Sequence, residues 1–204
     1  MWYVLKASRM KPYPADLRLA AVKTFMSTFD QLMVRSFVDC SNTQALLRGE
    51  LVREEFRELC DSTSRVDALD AYVDLEYIAA GTQLALALKV TRVVNTKPLA
   101  FWAARCIKEC NASQLCQRGL VNSFNGLRAA IEAEACKAFK DFHGAFMAVH
   151  KNNMAKTWRT VELQLAPEGA TRKQVTASSF VVKRADGKIL KPPGHPKPEL
   201  EQFV

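Results

Sequence analysis

The chain has 204 residues, 49% of them hydrophobic and 25% charged, so it can bury a core without disulfides or a metal. The formal net charge of +8 suits an acidic protein, an anionic lipid surface or a nucleic acid as partner, and equally a solvated basic face inside a larger complex. The most apolar stretch, 78–90, is interrupted by polar residues. It is also too short to span a bilayer, which takes about 20 residues, and both features argue against membrane insertion.

Three helices are predicted in the first part of the chain. Apolar residues recur at helical spacing over 17–38, with Asp16 as the candidate cap. A second helix is predicted over about 42–60, and a third, opened by Ser64, over about 66–90. The third is apolar on nearly every side and should be the most buried element. The short joints predict an antiparallel, up-down-up bundle.

The rest of the chain is predicted to add helices and a small hairpin. A short helix should begin at Pro98, and one long helix should cover about 113–158. Two apolar strands, 180–182 and 189–190, flank Asp186-Gly187 and predict a β-hairpin. The Pro-rich segment 192–198 favours an extended tail.

The predicted fold is therefore mainly α. It consists of a three-helix bundle at 1–94, a helical extension at 95–160, and a hairpin with an extended tail at 161–204.

Few side chains suit catalysis, which predicts a binding or structural subunit and no enzyme. The sequence has no phosphate-binding loop, dinucleotide turn or nucleophile elbow. His143 and His150 are seven residues apart, which is not the spacing of a metal pair, and His195 lies between prolines. The carboxylates Asp67, Asp70, Asp74 and Glu76 are interpreted as complementing the dipole at the start of the third helix.

The six cysteines are interpreted as reduced, packed thiols that bind no metal. The spacing of Cys106, Cys110 and Cys116 lacks the paired knuckles of structural zinc sites. Cys106 and Cys116 are ten residues apart, on consecutive predicted helices, and are expected to stay unjoined.

Three passages in the first ninety residues resemble the LYR-motif family of small mitochondrial helical proteins. They are KPY at 11–13, AVKTFMSTF at 21–29 and LRGELVREEF at 47–56. Within that family the likeness is to the accessory subunit of respiratory complex I that docks the mitochondrial acyl carrier protein. The motif positions for Leu, Tyr and Arg hold Phe25, Met26 and Ser27 here. A second register at 33–35 keeps the arginine, as Arg35, but shortens the span to Phe56.

The resemblance implies a non-catalytic subunit of mitochondrial complex I, peripheral on the matrix side of the inner membrane. Its partners would be the acyl carrier protein and other complex I subunits. It would have no cofactor of its own and would contact the acyl-phosphopantetheine of the carrier. The resemblance implies carrier-protein contacts by Lys23, Arg35, Arg48 and Arg53, and an acyl tunnel lined by Phe25, Phe29, Leu32, Met33, Leu47, Leu51 and Phe56.

A second reading is a helical RNA-binding coat or nucleocapsid-type protein. Basic residues interleave with aromatics along the predicted long helix, and such a surface can hold phosphates and stack bases. These are Lys137, Lys140, Lys151, Lys156 and Arg159, beside Phe139, Phe142 and Trp158. The same aromatics also fit the apolar stripe of that helix. Stoichiometric nucleic acid in the purified assembly would favour this reading, and co-purifying respiratory subunits would favour the first.

Overall fold

A chain of helices followed by a small sheet makes up the computed structural model, which describes residues 14–95, 97–185 and 187–204. The helices are α1 Pro14–Thr28, α2 Asn42–Asp61, α3 Arg65–Ala85, α4 Leu99–Cys110, α5 Gln117–Ala138 and α6 Phe142–Met154. Short 3₁₀ helices cover Phe37–Asp39, Thr160–Leu165 and Glu201–Phe203, and the strands are β1 Trp158–Arg159, β2 Thr171–Thr176 and β3 Ser179–Lys183. The prediction of a mainly helical fold is confirmed. The KPY segment at 11–13 lies outside the described residues.

Helix α3 lies at the centre, as its all-round apolar sequence predicted. It packs against α1, α2, α5 and α6, and its second half is buried on every side. Ser64 caps its start, since the hydroxyl accepts a hydrogen bond from Asp67 N at 3.0 Å. None of the helices within the described ranges is long and apolar enough to cross a membrane.

Helices α1 and α3 end earlier than predicted because both are closed by a residue in the left-handed conformation. Asp30 has φ 51° and Ala87 has φ 50°. In each case the next residue donates back across the turn, from Gln31 N to Met26 O and from Leu88 N to Gln83 O, both at 2.8 Å. This is the Schellman arrangement, which glycine usually completes. The predicted helix ends at 38 and 90 were therefore wrong.

The single long helix predicted over 113–158 was also wrong, because the chain breaks between α5 and α6. Asp141 caps α6 by accepting a hydrogen bond from Gly144 N at 2.8 Å. At the break, Lys140 N donates to Phe203 O of the C-terminal segment at 3.1 Å. Helices α5 and α6 are therefore separate, and each packs against α3.

The sheet is three-stranded and antiparallel, in the order β1-β3-β2. Its main hairpin joins β2 to β3. The predicted pairing of 180–182 with 189–190 is present as one bridge, Lys183 to Ile189, and a hydrogen bond from Leu190 N to Val182 O at 2.8 Å. Asp186 of the predicted turn lies outside the described residues.

The C-terminal segment is extended, as predicted, and is packed against the helices. Leu200 is 1% exposed and belongs to the same buried cluster as the helical core. Asn152 of α6 donates to Pro196 O at 2.8 Å and bonds the His195 ring at 3.0 Å. One core therefore includes residues from all three predicted regions, whose boundaries at 94 and 160 stay a prediction.

Candidate partner-binding site

Helices α1, α2 and α3 meet at Gly81. A Cβ at this position would lie 3.6 Å from Val22 Cγ1, 3.8 Å from Met26 Sδ and 3.7 Å from Arg48 Nη1. The first two atoms belong to α1 and the third to α2. The guanidinium of Arg48 thus lies at the junction of the three helices that the sequence predicted as a bundle.

Arg48 is the least compensated cation of this junction. Its Nε is buried and has no hydrogen-bond partner within the described residues. Burial lowers the pKa of Arg48 to about 10, partly offset by the nearby Cys110 thiol, so the side chain stays charged at neutral pH. A buried guanidinium with an unused N–H carries a desolvation cost that an anionic group would relieve.

An exposed apolar surface borders this junction. Val34 N and Gln44 Nε2 both donate to Ala85 O, at 3.2 Å and 2.9 Å, so the 29–41 loop and the first turn of α2 meet there. Leu32 on that loop is 65% exposed and Leu47 on α2 is 48% exposed. We call the set Leu32, Arg35, Leu46, Leu47 and Arg48 the junction surface.

The other predicted basic contacts lie in different settings. Lys23 is exposed on α1, one turn before Met26. Arg35 is exposed on the loop. Arg53 is paired with Glu50 on the same helix, which neutralises much of its charge.

The seven predicted tunnel residues occupy three environments. Phe25 and Phe29 are buried side by side, with ring centroids 4.5 Å apart, and Phe25 meets Tyr77 of α3 edge-on at 5.4 Å. Leu51 is half-buried, and Met33 and Phe56 pack against the margin of the core. Only Leu32 and Leu47 are exposed, and both belong to the junction surface.

Sequence reasoning missed a buried ion network at the α1–α3–α5 interface. Glu76 is completely buried and accepts from Arg18 Nε at 3.1 Å and from Arg128 Nη2 at 2.8 Å. Arg18 also pairs with Glu132, and its guanidinium carbon lies 5.1 Å from the Phe142 ring centroid. The interpretation of Glu76 as a dipole-complementing carboxylate was wrong, since it neutralises two arginines in mid-helix.

The network continues into a chain of amides. Arg128 Nη1 donates to Gln83 Oε1 at 2.9 Å, and Gln83 Nε2 donates to Asn125 Oδ1 at 3.0 Å. Asn125 fixes the loop after α3 by donating to Lys89 O and accepting from Thr91 N. A cleft of about 180 Å³ opens beside Asn125 and Arg128.

A second set of carboxylates lies between α2 and α3, near the lysines of the C-terminal segment. Its members are Glu55, Asp70 and Asp74. Burial, reinforced by Asp74, raises the pKa of Glu55 to about 8, and Glu55 Oε2 is buried without a described hydrogen-bond partner. Burial and the charge of Asp70 raise the pKa of Asp74 to about 7, against the opposing effect of Lys156. Burial also raises the pKa of Asp70. Asp70 and Asp74 therefore belong to an acidic cluster at the α2–α3 interface. This setting describes them better than the predicted role of complementing the dipole at the start of α3.

In the described part of the chain, no group of three or more histidine, cysteine, aspartate or glutamate side chains could hold a metal ion. His150 Nδ1 is 3.1 Å from the Tyr77 hydroxyl, and burial lowers its pKa. His143 is half-buried on α6. The six cysteines are free thiols, of which Cys106 and Cys110 are fully buried.

Comparison with protein families, curated proteins and solved structures finds no match for this chain.

Proposed function

We propose that this chain is a non-catalytic accessory subunit that binds an acidic carrier protein at the junction surface. The occupant we propose is the mitochondrial acyl carrier protein, and the setting is respiratory complex I on the matrix side of the inner membrane. The acyl-phosphopantetheine would belong to the partner. The observation that carries the proposal is Arg48, whose buried Nε has no described hydrogen-bond partner beside exposed Leu32 and Leu47.

The chemistry of the junction surface supports an anionic, partly apolar ligand. The Nε–H of Arg48 is buried, so a partner's phosphate or carboxylate can accept it only when the surrounding side chains move apart. Charge-assisted hydrogen bonds contribute about 1.5–3 kcal/mol when well formed. Exposed Arg35 and Lys23 extend the positive surface toward an acidic protein. Leu32 and Leu47 offer apolar area to an acyl chain, at roughly 0.8 kcal/mol for each methylene buried.

The proposal is tested by titrating the full chain with acyl carrier protein in its apo, holo and acylated forms. Calorimetry should give tight binding that weakens with salt and strengthens with acyl length. Arg48→Met keeps the stem of the side chain and removes the charge, and Lys23→Glu with Arg35→Glu reverses the exposed cations. Both changes should weaken binding about tenfold or more. Leu32→Ser with Leu47→Ser removes the exposed apolar area and should abolish the preference for long acyl chains.

A matched control is Arg57→Glu, because Arg57 is exposed on the same helix as Arg48 but outside the junction surface. It should leave carrier-protein affinity unchanged. Equal binding of all variants, or no binding by the parent, would refute the carrier-protein proposal. Stoichiometric nucleic acid in the purified parent would support the coat-protein alternative instead.

A further inference from the structure

The end of α1 is held by two lysines of the C-terminal sheet. Lys173 Nζ on β2 lies 2.8 Å from Asp30 Oδ1, and Lys183 Nζ at the end of β3 donates to Asp30 O at 2.7 Å. Helix α1 has no basic side chain in its own last turn. The two lysines supply the positive charge that the C-terminal end of a helix favours. We call Asp30, Lys173 and Lys183 the clasp.

The register of the sheet brings both lysines to the helices. Lys173 pairs with Val181, so these two side chains share one face of the sheet. Val181 is buried and belongs to the same apolar cluster as the helical core. Lys183 lies two residues further along β3 and is therefore on that face as well. Arg172, which precedes Lys173 on β2, lies on the opposite face.

Asp30 stands where α1 ends and the 29–41 loop of the junction surface begins. It closes the helix in the left-handed conformation, with φ 51°. Leu32 and Arg35, which belong to the junction surface, follow within five residues. The same loop is tied to α3 by the hydrogen bond from Val34 N to Ala85 O at 3.2 Å. The position of Asp30 therefore bears on how the loop presents Leu32 and Arg35.

The clasp is exposed and carries more positive than negative charge. The side chains of Asp30 and Lys173 each retain 58% of their accessible surface. The one carboxylate pairs with Lys173, while Lys183 meets only the backbone oxygen of Asp30. The hydrogen bond and charge of Lys173, with the charge of Lys183, lower the pKa of Asp30. Exposed ion pairs contribute little to stability, so a partner's carboxylate can replace that of Asp30 with little loss.

We propose that the acidic protein bound at the junction surface also binds the clasp, by taking Lys173 from Asp30. Its carboxylates would pair with Lys173 and Lys183, and the 29–41 loop, released from the sheet, would adjust to the partner. A nucleic acid fits less well, because Leu32 and Leu47 expose apolar area beside the clasp that a phosphate backbone cannot cover. The inference rests on the proposed function for the identity of the partner and adds the C-terminal sheet to the docking surface.

The first test follows the loop of the full chain without any partner, by residue-resolved hydrogen exchange. Asp30→Asn removes the carboxylate charge and keeps a side chain that tolerates the left-handed conformation. It should speed exchange of the Val34 amide, which bonds Ala85 O, about threefold or more. The Leu88 amide, which closes α3, should be unchanged. The matched control is Asp39→Asn, exposed on the same loop with no ion pair among the described residues, and it should change neither amide.

The second test measures the affinity for acyl carrier protein by calorimetry. Lys173→Gln with Lys183→Gln removes the cations offered to the partner and should weaken binding about threefold or more. Asp30→Asn should tighten binding about threefold, because it frees Lys173 and removes a like charge. Arg172→Gln, on the opposite face of β2, is the control and should bind as the parent does. A clasp that only supports the loop would weaken binding in both sets of variants, since both release Asp30 from Lys173.

The inference is overturned if Asp30→Asn leaves exchange at Val34 unchanged, or if it weakens carrier-protein binding as the lysine variant does. The carrier-protein proposal survives either result, because the parent still binds. If the parent does not bind the carrier protein, that proposal fails, and the exchange of Asp30 for a partner's carboxylate fails with it. Tighter binding of a single-stranded oligouridylate than of the carrier protein would assign the surface to a nucleic acid instead.

Discussion

Arg128 Nη2 lies 2.8 Å from Glu76 Oε1, and both side chains are almost completely buried between α3 and α5. Glu76 also accepts from Arg18 of α1, so one carboxylate joins three helices at the centre of the molecule. Buried charges of this kind are tolerated only when they are paired, since an isolated ion is costly to desolvate. The ion pairs of Glu76 with Arg18 and Arg128 therefore fix how α1 and α5 are oriented on α3.

We predict that Glu76→Gln lowers the free energy of unfolding by about 3–5 kcal/mol, because it leaves two buried arginines without their shared carboxylate. Urea unfolding at neutral pH measures the loss. Glu168→Gln, at an exposed turn position, is the control and should change stability by less than about 0.5 kcal/mol. A loss below about 1 kcal/mol in Glu76→Gln would mean that Glu132 alone compensates both arginines.

Two buried helical glycines should respond in opposite directions to alanine. At Gly126 the new Cβ would overlap the Trp102 ring, so Gly126→Ala should cost about 1–3 kcal/mol through overpacking. At Gly81 the nearest atoms lie 3.6–3.8 Å away, which is ordinary contact. Gly81→Ala should therefore stabilise by about 0.4–1 kcal/mol through reduced entropy of the unfolded chain. Equal effects of the two substitutions, measured by urea unfolding, would contradict the tight packing of α4 on α5.

The sequence predicted helix positions most accurately where an apolar pattern on every side marks a buried helix. The all-round apolar pattern of α3 and the cap at Ser64 located the central helix to within a few residues of its start. The ends were harder, because Asp30 and Ala87 adopt the left-handed conformation without the glycine that signals it. The break at 139–141 had a local signal in Asp141, which caps α6, but the hydrogen bond from Lys140 to Phe203, more than sixty residues away, is tertiary and no local pattern records it.

The candidate site was predicted only in part. The spacing of Leu47 and Arg48 placed them on α2 near the bundle, and both belong to the junction surface. Spacing could not reveal that Arg48 lies over Gly81 of α3, since this contact is tertiary. A signal for the ion network did exist. Glu76 lies near the start of the apolar stretch 75–81, where a charge implies a buried partner.

The carboxylates between α2 and α3 should make stability depend on pH. The pKa values of Glu55 and Asp74 are raised to about 8 and about 7 in the folded chain, above their ordinary values near 4. Their contribution to stability is therefore complete below about pH 4 and is lost as pH rises through 7 and 8. Urea unfolding between about pH 5 and 8 should show declining stability from these groups, at most about 1.4 kcal/mol per pH unit for each group.

The double variant Glu55→Gln, Asp74→Asn isolates this effect, because amides do not titrate in that range. Its stability should exceed that of the parent at pH 8 and approach it near pH 5. The histidines act in the opposite sense, since burial lowers the pKa of His150 and of His195. The difference between parent and variant cancels their contribution. A constant difference across the pH range would contradict the raised pKa values.

The C-terminal segment should stabilise the whole helical core. Leu200 is 1% exposed, whereas Leu165 is 59% exposed at the end of a 3₁₀ helix. Leu200→Ala should cost about 2–5 kcal/mol through lost burial and the cavity left behind, and Leu165→Ala should cost little. Both are compared by urea unfolding monitored at the helical signal. A separate early transition in Leu200→Ala would mean that the segment unfolds independently of the helices.

The thiols should divide by reactivity. Cys60 and Cys116 are exposed, so they should react fastest with a disulfide reagent at neutral pH. Cys136 is exposed at the surface, but partial burial of its thiol and the neighbouring Glu132 raise its pKa. It should therefore react more slowly than Cys60 and Cys116. Burial raises the pKa of Cys106 well above its usual value and that of Cys110 to about 12, so neither should react until the chain unfolds.

Stopped-flow absorbance with a chromogenic disulfide resolves these classes. Cys60→Ser with Cys116→Ser should remove the fastest phase, and Cys106→Ala should leave every fast phase intact. All six thiols should react together in guanidinium, because unfolding exposes them equally. If Cys110 reacted in the fast phase, α4 would have to separate from α2 in the native state, since its Cβ lies 2.9 Å from where a Cβ on Gly49 would be. The thiol rates therefore report directly on how tightly the α2–α4 interface, and with it the position of Arg48, is held.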